Sequence, residues 1–109
     1  MNDAAAIRPS RDRLLNLVLV EDDRIFRMGL RACLQNFADM QVIAEVETPE
    51  AVLNLLQSQP AGEAEGSSPI DVIVLDLDLG RVAVGKNVGL ALCQQLKAQY
   101  PTVPVLLLS

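Results

Sequence analysis

Apolar residues come in short bursts along this chain, and several of those bursts end where charge begins. Leu15–Val20 (LNLVLV) is a nearly continuous apolar run that stops at Glu21-Asp22-Asp23, the pattern of a strand buried on both faces of a parallel sheet. From Arg24 to Phe37 the period changes: Ile25, Phe26, Met28, Gly29, Leu30, Cys33, Leu34 and Phe37 recur at three- and four-residue spacing, which predicts an amphipathic helix. Gln41–Glu45 (QVIAE) is a second strand. Thr48-Pro49-Glu50 then reads as a helix start, with Thr48 as cap, Pro49 at the first helical position and Glu50 at the positive end of the dipole. That helix runs for about ten residues, to Gln59-Pro60, and the small, polar and acidic Ala61–Pro69 (AGEAEGSSP) is a loop. Ile70–Leu75 (IDVIVL) is a third strand, followed at once by Asp76 and Asp78. After a further loop comes a helix over Val88–Tyr100, stopped by Pro101, and Val105–Leu108 is a fourth strand. Residues 1–13, polar and without a sustained period, read as a flexible leader.

This β-α-β-α-β-α-β alternation predicts an α/β fold with right-handed crossovers and a parallel sheet covered on both sides. The 109 residues suffice for one domain and are too few for two. With a formal net charge of −5 and only two Lys, Lys86 and Lys97, the chain lacks the clustered cations that phosphate backbones require, so it is expected to bind no nucleic acid. No apolar run approaches the roughly 18–20 residues of a membrane-spanning helix, and MNDAAAIRPSRDR has no hydrophobic signal core. A soluble, cytoplasmic protein without membrane contact is expected. The absence of His excludes Ser-His-Asp hydrolases, His-ligated zinc and a phosphorelay histidine on this chain. Cys33 and Cys93 stand 60 residues apart with no C-x-x-C pairing, so both are expected to be reduced core cysteines.

The remaining chemistry is that of carboxylates. In parallel sheets, sites form outside the carboxyl ends of the strands, and Glu21, Asp22, Asp76 and Asp78 all fall at that edge. They are expected to converge there although more than fifty residues separate the two clusters. Carboxylates brought so close repel one another, and a divalent cation relieves that repulsion. Oxygen-only donors favour Mg²⁺ or Mn²⁺, and a strand-end Asp beside such an ion can attack phosphorus and form an aspartyl phosphate. The plainer alternative is that these acids only cap helices at exposed loop ends.

The segments LNLVLVEDDRIFRMGLRACL, IDVIVLDLDLG and PVLLLS carry a family resemblance. They resemble the first strand and helix, the phosphoacceptor strand and the switch-hydroxyl strand of response-regulator receiver domains, the CheY-like superfamily. The resemblance runs through residues 14–109. It implies a flavodoxin-like three-layer sandwich with a parallel sheet of order 2-1-3-4, the fifth strand absent. Glu21 and Asp22 resemble the acidic pair that holds Mg²⁺, with Asp23 the alternative member. Asp76 resembles the phosphoacceptor, which also ligates the metal. Asp78 stands where the family completes the metal site with a backbone carbonyl, and Ser109 resembles the switch hydroxyl. The implied function is that of a phosphoacceptor module in two-component signal transduction. Its partner would be a histidine kinase or phosphotransfer protein, its cofactor Mg²⁺ (or Mn²⁺), and it would phosphorylate itself without being a turnover enzyme.

Several departures accompany these matches. Leu79–Asn87 (LGRVAVGKN) is longer than the family's usual turn and has Gly80 where Pro is usual; Arg81 or Lys86 there could meet phosphate or a partner, a solvated loop charge being the simpler reading. The family's phosphate-pairing lysine lies at the end of a fifth strand beyond Ser109, and neither Lys86 nor Lys97 occupies that position. The receiver domain is therefore expected to be incomplete at its C-terminus, with any output domain downstream in the parent chain. The uncharged edge PVLLLS is then expected to pair with a second copy.

Other functions can be drawn from the same residues. D-x-D in VIVLDLDLG resembles the motif of haloacid-dehalogenase-type phosphatases, although Glu21-Asp22 precede it by a β-α-β-α stretch where that family has its acids later. Gly80–Lys86 formally fits G-x-x-x-x-G-K, but Asn87 stands where a phosphate-binding loop needs Ser or Thr, and Asp76 and Asp78 would repel phosphates. The long 79–87 loop also suits a receiver-like interaction module that no longer uses phosphorylation.

Overall fold

Strand and helix alternate as the hydrophobic pattern predicts. The computed structural model describes residues 14–58, 70–79 and 87–108. These form β1 (Leu15–Val20), α1 (Arg24–Leu34), β2 (Met40–Val46), α2 (Pro49–Gln57), β3 (Val72–Asp76), α3 (Val88–Gln99) and β4 (Val105–Leu108). The expected leader, the 61–69 loop, Gly80, Arg81, Lys86 and Ser109 lie outside the described residues.

Local chemistry sets the ends of the elements. Thr48 caps α2 as expected, its hydroxyl accepting the Ala51 N–H at 3.1 Å. The helix expected to reach Phe37 ends instead at Leu34. The N–H groups of Asn36 and Phe37 bond back only three residues, to the carbonyls of Cys33 and Leu34 at 3.2 and 3.1 Å, which tightens the chain out of α-geometry. β3 starts at Val72 and takes in Asp76 as its last residue.

All three strand pairings are parallel and the order is β2-β1-β3-β4, the 2-1-3-4 arrangement expected. β1 lies inside the sheet, and Leu17 to Val20 are buried on both faces. Val18 and Val20 of β1 share a face with Ile73 and Leu75 of β3, and on it sit Val52 and Leu56 of α2 and Leu92, Cys93 and Leu96 of α3. The opposite face carries Leu17, Leu19, Val72 and Val74, with α1 on that side, giving three layers. The β1–β2 register shifts by one between Leu17 and Val18, where Ile43 is passed over.

The first helix departs from expectation. None of its 11 residues is buried. Ile25 is 77% exposed, Phe26 and Met28 are also exposed, and so is Cys33, which corrects its expected place in the core. Cys93 is buried as expected. α1 is tied to the sheet along a polar flank, where Arg27 and Arg31 meet Glu45 at 3.2 Å each. Its apolar stripe consequently contributes little to the core.

Candidate functional site

The strand register brings the two acidic clusters together. Val20 pairs with Leu75, so the next residues, Glu21 and Asp76, stand side by side at the carboxyl edge of the sheet, and Asp22 follows in the turn. Ligand oxygens of Glu21, Asp22 and Asp76 lie within 4.8 Å of one another. Of the four acids expected to converge, Glu21, Asp22 and Asp76 therefore do so, and the carboxylate of Asp78 does not join them. Asp23 plays a different part: its Oδ1 accepts the Phe26 N–H at 3.0 Å and caps α1. Asp78 is exposed and outside this carboxylate group, and its backbone N–H donates to Asp76 Oδ1 at 3.0 Å.

Glu21 is the deepest of the acids, 2% exposed. Its N–H donates to the Val46 carbonyl at 3.0 Å, which continues the sheet by one bond. Oε2 accepts the Asp23 N–H at 2.7 Å, while Oε1 is buried without a hydrogen-bond partner among the described residues. Burial pushes the Glu21 carboxyl up to about 7; the neighbouring Asp76 carboxyl and the charges of Asp76 and Asp22 add to this, and the Asp23 N–H opposes it. A buried oxygen left unpaired is costly unless something else fills its coordination.

The donor set fits a hard cation. Three carboxylates with no His or Cys suit Mg²⁺ or Mn²⁺, and the orphaned Glu21 Oε1 is the atom that most needs one. Half-buried Asp76 remains open to a reactant, and the Asp78 N–H fixes the plane of its carboxylate.

Two contributors escaped the sequence reading. Gly89, at the start of α3, lies so close to the acidic edge that a Cβ there would meet the Asp76 carbonyl oxygen at 2.8 Å and the Leu77 carbonyl oxygen closer still. A glycine at the head of a helix directly after a site-bearing strand is the signal that could have marked it. Arg27 donates from Nη1 to the Glu21 carbonyl oxygen at 2.7 Å, and only the turn of helix between them hinted at that. Asn87, weighed as part of a phosphate-binding loop, instead caps α3, its Oδ1 accepting the Leu90 N–H at 3.0 Å.

Comparison with known proteins bears on the whole of this fold. A family model described as the response regulator receiver domain matches residues 17–109. Among solved structures, the non-phosphorylated receiver domain of the stress response regulator RcsB from Escherichia coli superimposes with a TM-score of 0.68 at 21% identity, over 89% of this chain and 66% of that one. RcsB of Salmonella typhimurium, in a structure concerned with conformational dynamism for DNA interaction, gives a TM-score of 0.66 at 21% identity over 86% of this chain. The match spans 42% of that RcsB chain. No curated protein sequence matches. A family match through nearly all of the sheet, together with acids gathered at the edge where such domains carry theirs, places this chain in the response regulator receiver domain family of two-component signalling.

Proposed function

We propose that the chain is a phosphoacceptor module in which Asp76 takes a phosphoryl group from a phosphohistidine on a partner histidine kinase or phosphotransfer protein, with Mg²⁺ (or Mn²⁺) as cofactor. The observation that carries this reading is the clustering of Glu21, Asp22 and Asp76 oxygens within 4.8 Å around a buried, unpaired Glu21 oxygen. Glu21, Asp22 and Asp76 would hold the ion, with the Asp78 backbone carbonyl as a further ligand. The ion would neutralise charge on the phosphoryl oxygens. Asp76, its plane set by the Asp78 N–H, attacks phosphorus in line with the leaving imidazole. The P–O bond to Asp76 forms as the P–N bond breaks, and the electron pair stays on the imidazole nitrogen, which is protonated. Little other covalent chemistry is required of the protein, so positioning and electrostatics carry the step. Ser109 would then be drawn to the phosphoryl group and shift a pre-existing equilibrium. The module signals by one modification and does not turn substrate over. The partner at the outer edge of β4 is a second copy of this chain.

Intact mass after incubation with acetyl phosphate and Mg²⁺ tests the reading. One phosphoryl adduct is expected on the wild type and none on Asp76→Asn. A folded wild-type protein that gains no adduct would move the reading to a phosphorylation-independent interaction module. Release of phosphate from p-nitrophenyl phosphate that disappears in Asp78→Ala would instead favour a haloacid-dehalogenase-type phosphatase.

A further inference from the structure

Arg27 reaches from α1 to the end of β2 and back to the acidic turn. Its Nη1 donates to the Glu21 carbonyl at 2.7 Å, its Nε to Glu45 Oε1 at 3.2 Å, and its Nη2 lies 3.1 Å from Glu47 Oε2. The side chain is 12% exposed. Arg31 Nε holds the other oxygen of Glu45 at 3.2 Å, so the carboxylate that orients Arg27 is itself held. Glu21 is thereby gripped at both ends of its backbone, by Val46 through its N–H and by Arg27 through its carbonyl. With Oε2 turned back onto the Asp23 N–H, Oε1 is left for the acidic cluster.

We propose that Arg27 is a positioning residue for the acidic site: by tying the Glu21 carbonyl to the end of β2, it sets the turn from which Glu21 and Asp22 present oxygens to a divalent cation. This rests on the reading of Glu21, Asp22 and Asp76 as a cation site. A planar guanidinium satisfies three acceptors held in different directions, whereas a lysine ammonium on a flexible stem does not reproduce that fork. Arg27 also has a second effect of opposite sign, because its positive charge close to the site repels an incoming cation. The two effects make opposite predictions for a neutral replacement and distinguishable ones for a lysine.

The test uses Arg27→Lys and Arg27→Gln in the intact protein, with Mn²⁺ as probe and the free ion followed by its electron paramagnetic resonance signal. A positioning role weakens Mn²⁺ binding about 10-fold or more in both variants, the scale seen when groups that orient metal ligands are removed. If Arg27 acts by charge alone, Arg27→Gln binds Mn²⁺ more tightly and Arg27→Lys is unchanged, and the proposal is overturned. Amide hydrogen exchange without metal supplies a second readout. The Asp23 N–H should exchange faster in both variants while Val18, Leu19 and Val20 stay protected, which also shows that the variants are folded; unchanged Asp23 exchange overturns the proposal. Should Arg27→Gln lose the protection of β1, Arg27→Lys alone decides. A wild type that binds no Mn²⁺ would defeat the cation-site reading itself, and the exchange of Asp23 would still report whether Arg27 holds the turn.

Discussion

Glu21 meets two opposed demands: its backbone continues the sheet, which buries it, while its carboxylate stands beside Asp22 and Asp76. The folded protein therefore holds the Glu21 proton more tightly than the unfolded chain does, its carboxyl being pushed from 4.5 up to about 7 by burial first and by its acidic neighbours second. Wherever the folded state binds the extra proton, stability falls as pH rises. In metal-free protein the contribution of Glu21 should be fully present below about pH 4.5 and lost by about pH 7. Urea midpoints measured across that window should fall more steeply for wild type than for Glu21→Gln, and the Gln variant should be the more stable of the two at pH 8, by roughly 1–3 kcal/mol. On the proposed cation-site reading Mg²⁺ would compete with that proton, so its affinity for wild type should rise with pH up to about 7, with about one proton released per ion bound at pH 6. Equal pH dependence in the two proteins would separate Glu21 from both effects. The acids were legible because each cluster directly follows an apolar strand. The division of labour among Glu21, Asp22 and Asp23 was not, since only the geometry of the turn decides which carboxylate caps α1 and which faces the cluster.

Elements that begin with a local chemical signal were the easiest to read. Thr48-Pro49-Glu50 opens α2 at the expected residue, and β1 and β4 keep their expected limits, because caps and apolar runs act over a few residues. α1 shows where that locality ends. Its three- and four-residue period is real, but a period says that a helix has an apolar side and not how deeply that side will be covered. α3 depends on a contact of the opposite kind, a glycine that lets the helix approach the carbonyl edge of β3. Gly89→Ala would force the Asp76–Leu77 backbone or the head of α3 to move, since the new Cβ would lie 2.8 Å from the Asp76 carbonyl oxygen. A loss of about 1–3 kcal/mol in urea unfolding is expected, as for other overpacked sites. Because the displaced backbone carries Asp76, Mn²⁺ affinity should fall with it. A variant as stable and as tight-binding as wild type would mean that α3 can retreat freely.

At the scale of the molecule, a parallel sheet covered on both sides was readable from the alternation of elements alone, because parallel crossovers leave few arrangements open, whereas the order 2-1-3-4 was readable only through the resemblance to receiver domains. The edge strand makes a prediction at the same scale. β4 has one strand neighbour among the described residues, and Leu106 and Leu107 are 54% and 41% exposed. An uncharged edge of this kind invites pairing with another copy. Light scattering over a concentration series should show mass rising above that of a monomer, and Leu106→Lys should reduce the rise; a monomeric mass throughout would remove the second copy from the list of partners. What no periodicity could disclose is the step in β2 at Ile43. Leu17 pairs with Val42 but Val18 pairs with Ala44, so from there on β2 runs one residue ahead. Without the step, Val20 would stand beside Glu45, and the carboxylate would point into the layer filled by Val52, Leu56 and Leu92. With it, Val46 enters that layer and Glu45 emerges opposite, where Arg27 and Arg31 wait. Ile43 thus acts like a single extra letter that the step absorbs: held in an unbroken ladder it would exchange inside for outside along the rest of the strand, whereas skipping it keeps every later residue on its own side.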